Sequence, residues 1–114
     1  MGQYYNDARD ALVNAKDLPV GKLAKRVVLT DNEVTRVSYF EFEQGDNTGW
    51  HKHELNYCSL YLTDATLFHT RIDGTQFSSS HVPQEFKIHP VGVEHNVKSE
   101  SPRIVKLLEI EFKT

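Results

Sequence analysis

Short runs of β-branched and aromatic residues recur along most of the chain, and they constrain its fold more than any other feature. The runs are separated by turn signals such as Asp31-Asn32 and Asp73-Gly74. β-Branched and aromatic side chains favour strands, and Asp-Gly favours a tight hairpin turn. The pattern predicts an antiparallel all-β sandwich or barrel. The predicted strands are 25–30, 33–43, 50–53, 57–63, 66–72, 85–89, 94–98 and 103–112.

The start of the chain follows a different pattern. Asn6 can cap a short helix, whose one face would then carry Tyr5, Ala8, Leu12 and Ala15 at 3.6-residue spacing. Pro19 ends this segment, because proline cannot continue a helix. We therefore predict a helical extension over residues 1–24 and one barrel domain over residues 25–114.

Composition excludes several classes of partner. Thirteen Lys and Arg against sixteen Asp and Glu give a net charge of −3, so the chain lacks the basic surface that nucleic-acid binding requires. No apolar run approaches the roughly 20 residues of a membrane-spanning helix. Cys58 is the single cysteine, which excludes an intrachain disulfide. With no signal-peptide pattern, we expect a cytoplasmic protein without nucleic-acid or membrane partners.

A His-x-His pair follows a glycine-rich loop. Residues two apart on a strand point the same way, so His51 and His53 present both imidazoles to one side. Two neutral imidazoles placed in this way can share one divalent transition metal. Tyr57 has the same parity, and His95 begins a later strand after a tight turn. The pair alone is weak evidence, but its context in an all-β chain is more specific.

This arrangement resembles the first motif of the cupin superfamily, which is Gly, five residues, His-x-His, three or four residues, Glu, six residues, Gly. Gly45, His51 and His53 match that motif. Tyr57 stands in place of the Glu, and Asp64 stands in place of the closing Gly.

The second cupin motif, Gly, five residues, Pro-x-Gly-x-x-His and then Asn, is also partly present. Pro90, Gly92 and His95 match it, Gln84 replaces the leading Gly, and Asn96 comes early. The resemblance covers about residues 25 to 112. Segments 48–51, 62–64, 92–96 and 108–111 are similar to the small cupins linked to β-alanine degradation.

The resemblance implies a cupin-type antiparallel β jelly roll, a double-stranded β-helix, with one divalent transition metal in its lumen: iron, nickel, manganese or zinc. It implies His51, His53 and His95 as metal ligands. Tyr57 is either a fourth ligand or a catalytic residue that orients or protonates the substrate. Three neutral ligands leave the metal its +2 charge, which favours small anionic, chelating substrates.

The leading hypothesis is a metal-dependent enzyme of dioxygenase, isomerase or lyase type that acts on a small organic acid. The alternative is a non-catalytic ligand-binding or sensing cupin domain, because a fold does not determine a function. A cupin that has lost its metal is a third reading, motivated by the changed Glu and Gly positions.

The other histidines and Glu54 receive no ligand role. We expect His69 to face outward, His89 to lie at a solvated edge and His81 to lie in a serine-rich loop over residues 78–83. Glu54 faces away from His53, because it is the next residue on the strand.

Arginines and phenylalanines are given surface and core positions. Arg36 and Arg71 are expected at the surface, although a position facing the lumen would let either bind a substrate carboxylate. The phenylalanines expected in the core are Phe40, Phe42, Phe68, Phe86 and Phe112.

The predicted strand over 57–63 has two different faces. Its lumen face carries Tyr57, Ser59 and Tyr61, whereas its outer face carries Cys58, Leu60 and Leu62. An apolar outer face needs cover, and on a two-layer fold it predicts a subunit interface. We therefore expect a homodimer, with the N-terminal helix as the alternative cover.

Overall fold

Nine strands form two antiparallel sheets in the computed structural model, which describes residues 22–114. The strands are β1 (Lys25–Asp31), β2 (Thr35–Phe42), β3 (His51–Lys52), β4 (Asn56–Tyr61), β5 (Ala65–Arg71), β6 (Gln76–His81), β7 (Phe86–His89), β8 (Glu94–Ser99) and β9 (Val105–Phe112). The predicted N-terminal helix precedes residue 22 and lies outside the described residues. Residues 22–114 contain no helix that is long and apolar enough to cross a membrane.

Strand order shows that the chain crosses repeatedly between the sheets. The five-stranded sheet has the order β1-β2-β9-β4-β7, and the four-stranded sheet has the order β3-β8-β5-β6. The neighbours β2 and β9 pair in register from Thr35↔Phe112 to Phe42↔Val105. Such long-range antiparallel pairing is typical of jelly rolls. The predicted antiparallel all-β architecture is confirmed.

The interior changes from apolar to polar along β2 and β9. Phe40, Phe42, Val105 and Leu107 form part of the apolar core, and each such side chain contributes about 1.5–3 kcal/mol when fully buried. The same inward faces then carry the buried residues Arg36, Ser38, Glu109 and Glu111. One half of the interior is thus hydrophobic packing, and the other half is a polar chamber.

Three of the five phenylalanines expected in the core lie outside it. Phe40 and Phe42 belong to the core. Phe68 is half-buried outside it, Phe86 is 53% exposed and Phe112 is 40% exposed. Side chains alternate along a strand, and Glu111 occupies the inward position next to Phe112. The outer face of the five-stranded sheet is therefore apolar.

Residues 78–81 of the serine-rich segment predicted as a loop belong to the edge strand β6. It pairs with β5 from Ala65↔His81 to Thr70↔Gln76. The preceding turn has Gly74 at φ +90°, a left-handed conformation that glycine adopts without steric cost. This turn returns the chain alongside β5, so the ladder forms without β-branched side chains.

Candidate metal centre

Three buried histidines converge at the edge of the polar chamber. The Nε2 atom of His53 lies 2.9 Å from Nε2 of His51 and 3.2 Å from Nε2 of His95. His51 and His95 are register partners on β3 and β8. The three side chains form a group that could hold a metal ion.

The spacing of these nitrogens fits a shared transition metal. Two nitrogens that each lie about 2.1 Å from a metal, with an angle of 90–109° between them, are roughly 3.0–3.4 Å apart. The separations of 2.9 and 3.2 Å lie close to and within this range, respectively. The residues therefore fit the metal that the cupin resemblance implies.

Main-chain contacts fix the orientation of His51. Its Nδ1 lies 2.9 Å from the carbonyl oxygen of Gly49. A carbonyl can only accept a hydrogen bond, so Nδ1 carries the proton and Nε2 keeps its lone pair. Such an outer partner is what usually orients a metal-binding histidine.

A tight turn fixes the position of His53. Its N–H donates to the carbonyl of Val93, and its carbonyl accepts from the N–H of Gly92, both at 2.8 Å. Gly92 has φ +105°, which favours glycine. The Pro90–Gly92 turn thus joins the His53 backbone to the segment that leads into His95.

Burial keeps the three histidines neutral at pH 7. Burial is the largest cause that lowers the pKa of His51 to about 4 and the pKa of His53 to about 2. The pKa of His95 falls well below its usual range, because of burial first and then the charges of His51 and His53. Metal ligation requires neutral imidazole, so no proton competes at neutral pH.

Tyr57 lies directly beside the histidines. Its ring stacks on His53 with 3.8 Å between centroids and on His89 with 4.6 Å. Burial raises the pKa of Tyr57 well above its usual value. The phenol therefore keeps its proton at neutral pH and can donate a hydrogen bond. Its role as a metal ligand stays a prediction.

Two adjoining cavities lead to the histidines. The inner cavity has a volume of about 60 Å³ and is lined by Tyr57, His53, His95 and Glu109 among others. The outer cavity has a volume of about 170 Å³, and its lining includes Arg71 and Lys87. Tyr57 and His95 line both cavities, so the outer cavity leads to the histidines. Because Arg71 and Lys87 line the outer cavity, this approach is cationic.

His69, His81 and His89 lie elsewhere than the sequence predicts. His69 is half-buried and lines both cavities, because the inward parity of β5 is set by buried Ala65 and Leu67. Burial lowers the pKa of His69 to about 4. His89 lies on the edge strand β7, but it is half-buried against Tyr57 rather than solvated. His81 is buried at the end of β6.

The two arginines differ from each other. Arg36, expected at the surface, is 2% exposed, and its Nε donates to Oε1 of Glu111 at 2.9 Å. Arg71 is exposed, as expected, but it also lines the outer cavity and is the register partner of His95. Glu54 is exposed.

The acidic face of β9 was missed in the sequence. Glu109 and Glu111 are 7% and 1% exposed, and they share a face with buried Val105 and Leu107. Burial raises the pKa of Glu109 to about 7. Lys106 was the available signal. It alternates with Glu109 and Glu111 and shares its face with Leu108, Ile110 and Phe112, and a lysine there marks that face as the outer one.

The family follows from two relatives and the fold. No protein-family model matches the sequence. The β-alanine degradation protein BauB of Pseudomonas aeruginosa is 34% identical over 86 residues, which cover 75% of this chain and 90% of BauB. A cupin domain of known structure from Bordetella pertussis Tohama I is 32% identical with a TM-score of 0.77, covering 82% of this chain and 96% of that domain.

A more distant structure extends the likeness of the fold. The polyketide cyclase RemF of Streptomyces resistomycificus has a TM-score of 0.63 at 17% identity, covering 91% of this chain and 80% of RemF. At this identity the likeness concerns the fold alone. The relatives, the strand topology and the three converging histidines agree: the chain belongs to the cupin superfamily.

Proposed function

We propose that this protein is a metal-dependent enzyme that acts on a small organic acid. One observation carries the proposal: three neutral imidazoles point their Nε2 atoms at a common point beside a small cavity with a cationic approach. A divalent transition metal held by His51, His53 and His95 would supply Lewis-acid chemistry to a bound substrate oxygen.

Arg71 is suited to recognise the acid. It is the register partner of His95, and its guanidinium carbon lies 5.0 Å from the ring centroid of Phe77. A planar guanidinium can lie over an aromatic ring and still bind a carboxylate through two hydrogen bonds. Lys87 adds a second positive charge to the lining of the outer cavity. Both cations attract an anionic substrate towards the histidines.

Tyr57 would orient the substrate or donate a proton to it. Its ring is held between those of His53 and His89, the first of which is a proposed metal ligand. The raised pKa keeps the phenol protonated, so the group is ready to donate at neutral pH. A positioned proton donor typically contributes about 10²–10⁴-fold to a rate.

One relative guides the choice of test substrates. The name of BauB places it in β-alanine degradation, and β-alanine is a small carboxylic acid. The two cavities, of about 60 and 170 Å³, also favour a small acid. A first substrate panel should contain β-alanine together with amino, hydroxy and oxo acids of three or four carbons.

The proposal is tested in two steps. Elemental mass spectrometry of untagged protein should find nearly one metal per chain, and the His51→Ala/His95→Ala double variant should lose it. Lys52→Ala changes an exposed residue between two of the histidines and should keep the metal.

Turnover is then measured on the acid panel by NMR and by oxygen consumption, which together cover dioxygenase, isomerase and lyase chemistry. Metal-dependent product formation that disappears in the double variant supports the enzyme. Saturable binding of an acid without product would overturn the enzyme in favour of a sensing domain. Protein without metal after anaerobic reconstitution would overturn the metal centre.

A further inference from the structure

We propose that Ser79, His81 and Glu85 form a nucleophilic serine site in the outer cavity, which takes small carboxylic esters. The inference goes beyond the proposed metal-dependent function, because none of these residues is a proposed metal ligand. It is carried by two short hydrogen bonds in series, by the burial of the histidine and by the turn that positions the acid.

Both ring nitrogens of His81 are hydrogen-bonded. Nδ1 lies 2.5 Å from Oε2 of Glu85, and Nε2 lies 2.7 Å from Oγ of Ser79. The hydrogen bond from His81 lowers the pKa of Glu85 below its usual value, so this carboxylate stays ionised at neutral pH and only accepts. The proton of a neutral His81 then lies on Nδ1, which leaves the Nε2 lone pair facing the hydroxyl. A nucleophile, a base and an acid that orients the base are arranged in this order in serine hydrolases.

Ser79 directs its hydroxyl proton at this base. Ser79 and His81 are two residues apart on β6, so their side chains share a face. The Ser79 Oγ atom also lies 2.7 Å from Nε2 of His69. Because the only hydroxyl proton goes to His81, the His69 ring donates in this contact, and one lone pair of Oγ stays available for attack. Ser79 is half-buried and lines the outer cavity, so that oxygen faces the space where a ligand would bind.

A strained turn fixes the position of the acid. The N–H of Glu85 donates to the carbonyl of Val82 at 3.1 Å. Within this turn Gln84 has φ +70°, and it is the only non-glycine residue at positive φ among residues 22–114. Tyr61 holds both parts of the array, because its backbone is hydrogen-bonded to Gln84 and Glu85 and its ring stacks on His81 with 4.0 Å between centroids. Strain of this kind is found preferentially at functional sites.

Ester hydrolysis in this site requires only water as a second reactant. Ser79 Oγ bonds to the carbonyl carbon of the ester while its proton moves to Nε2 of His81. The bond from that carbon to the alcohol oxygen then breaks, and the alcohol leaves with this proton. Water, deprotonated by His81, releases the acid and restores the serine. Arg71 and Lys87 line the same cavity and favour an ester that also carries a carboxylate.

Covalent labelling by diisopropyl fluorophosphate tests the nucleophile, on the full chain as purified and after removal of metal by a chelator. In this reaction Oγ bonds to phosphorus, fluoride leaves, and the hydroxyl proton goes to His81. Wild-type protein should gain one diisopropylphosphoryl group per chain by intact mass, and peptide mapping should place it on Ser79. Ser79→Ala should not be labelled. Ser80→Ala changes the exposed neighbour on the same strand and should be labelled at the wild-type rate.

Two variants separate activation of the serine from a structural role of the hydrogen bonds. His81→Gln removes the base and should slow labelling by about 10²–10⁴-fold. Glu85→Gln removes the charge that orients His81 and should also slow labelling. Peptide mapping of the wild type locates the reactive serine even if either variant does not fold.

Ester turnover tests the substrate class. Hydrolysis of monomethyl succinate and of methyl butyrate is followed by NMR on chelated protein, so that a bound metal contributes nothing to the rate. Monomethyl succinate should react faster because it carries a carboxylate, and both reactions should disappear in Ser79→Ala.

The outcomes separate this inference from the proposed function. Unlabelled wild type, or a label on another residue, would overturn the serine site whether or not the protein binds metal. Equal labelling of His81→Gln and wild type would overturn activation by His81. A label on Ser79 without hydrolysis of either ester would overturn the substrate class. A label on Ser79 in a protein that binds no metal would support this site and overturn the metal centre alone.

Discussion

Acidification of the metal-free protein should expose the cost of keeping its histidines neutral. His51 is 4% exposed, and burial lowers its pKa from the usual 6.5 to about 4. Between these values the unfolded chain carries a proton on His51 and the folded chain does not. Protons therefore favour the unfolded state, so the contribution of His51 to stability is present above pH 6.5 and is lost as the pH falls towards 4.

The size of the effect follows from the two pKa values. Each pKa unit corresponds to about 1.4 kcal/mol, so the full loss for His51 is roughly 3 kcal/mol. Between pH 7 and pH 5 the loss is about 2 kcal/mol. Glu109 acts in the opposite direction, because its pKa is raised to about 7 and it takes up a proton in the folded state. The contribution of His51 is therefore isolated by comparing the wild type with a variant that lacks this imidazole.

His51→Asn supplies that comparison. Its side-chain amide can still donate to the Gly49 carbonyl, but it does not titrate. Urea unfolding of the metal-free proteins, followed by the fluorescence of the single tryptophan Trp50, gives the free energy of unfolding at each pH. From pH 7 to pH 5, the free energy of unfolding should fall by about 2 kcal/mol more in the wild type than in His51→Asn.

Lys52→Asn is the control for this comparison, because it changes the exposed neighbour of His51 on β3. It should show the wild-type dependence on pH. Equal changes in wild type and His51→Asn would refute the reasoning, since His51 would then titrate alike in the folded and unfolded chains.

Three further predictions concern the supports of the site and the outer sheet face. Gly92→Ala puts a side chain on a residue with φ +105°, so the free energy of unfolding in urea should fall by about 1–3 kcal/mol. Zinc binding, measured by calorimetry, should weaken. Unchanged stability and zinc affinity would show that the turn does not support the site. Arg36→Met leaves Glu111 buried without its guanidinium and should cost about 3–5 kcal/mol in urea unfolding, most of which the double variant Arg36→Met/Glu111→Leu should recover; a double variant as unstable as the single one would contradict this. Phe86 and Ile88 are 53% and 76% exposed on an apolar sheet face, so we expect a homodimer with a mass near twice 13.1 kDa by light scattering, reduced to a monomer by Ile88→Lys; a monomeric wild type would exclude the interface.

Strand parity predicted the arrangements that depend on a single strand. Tyr57, Ser59 and Tyr61 alternate along one strand, and the structure places all three on the inner cavity. His51 and His53 keep the same alternation with Lys52 between them, although β3 ends at Lys52, and their Nε2 atoms lie 2.9 Å apart. These results needed only the two-residue period of a strand.

Arrangements that depend on the pairing of distant strands could not be predicted in this way. Arg36 and Glu111 are 75 positions apart, and their contact exists because β2 and β9 are neighbours. His69 and Arg71 have the same parity on β5 and both line the outer cavity, whereas His69 was predicted to face outward. The direction of that parity depends on which face of β5 the second sheet covers, and one strand does not contain this information.

The backbone clamp between His53 and the Gly92–Val93 turn bears on how the protein selects a metal. Both main-chain groups of His53 are hydrogen-bonded to the segment that leads into His95, so two of the imidazoles are held on one rigid frame. A site of imidazole nitrogens alone follows the general affinity order of the divalent ions, with copper(II) strongest and manganese(II) weakest, unless its geometry or the metal supply decides otherwise. The ion in the purified protein will therefore report the metal supply of the cell in which it was made, and the physiological metal is best identified in protein isolated from its native cell.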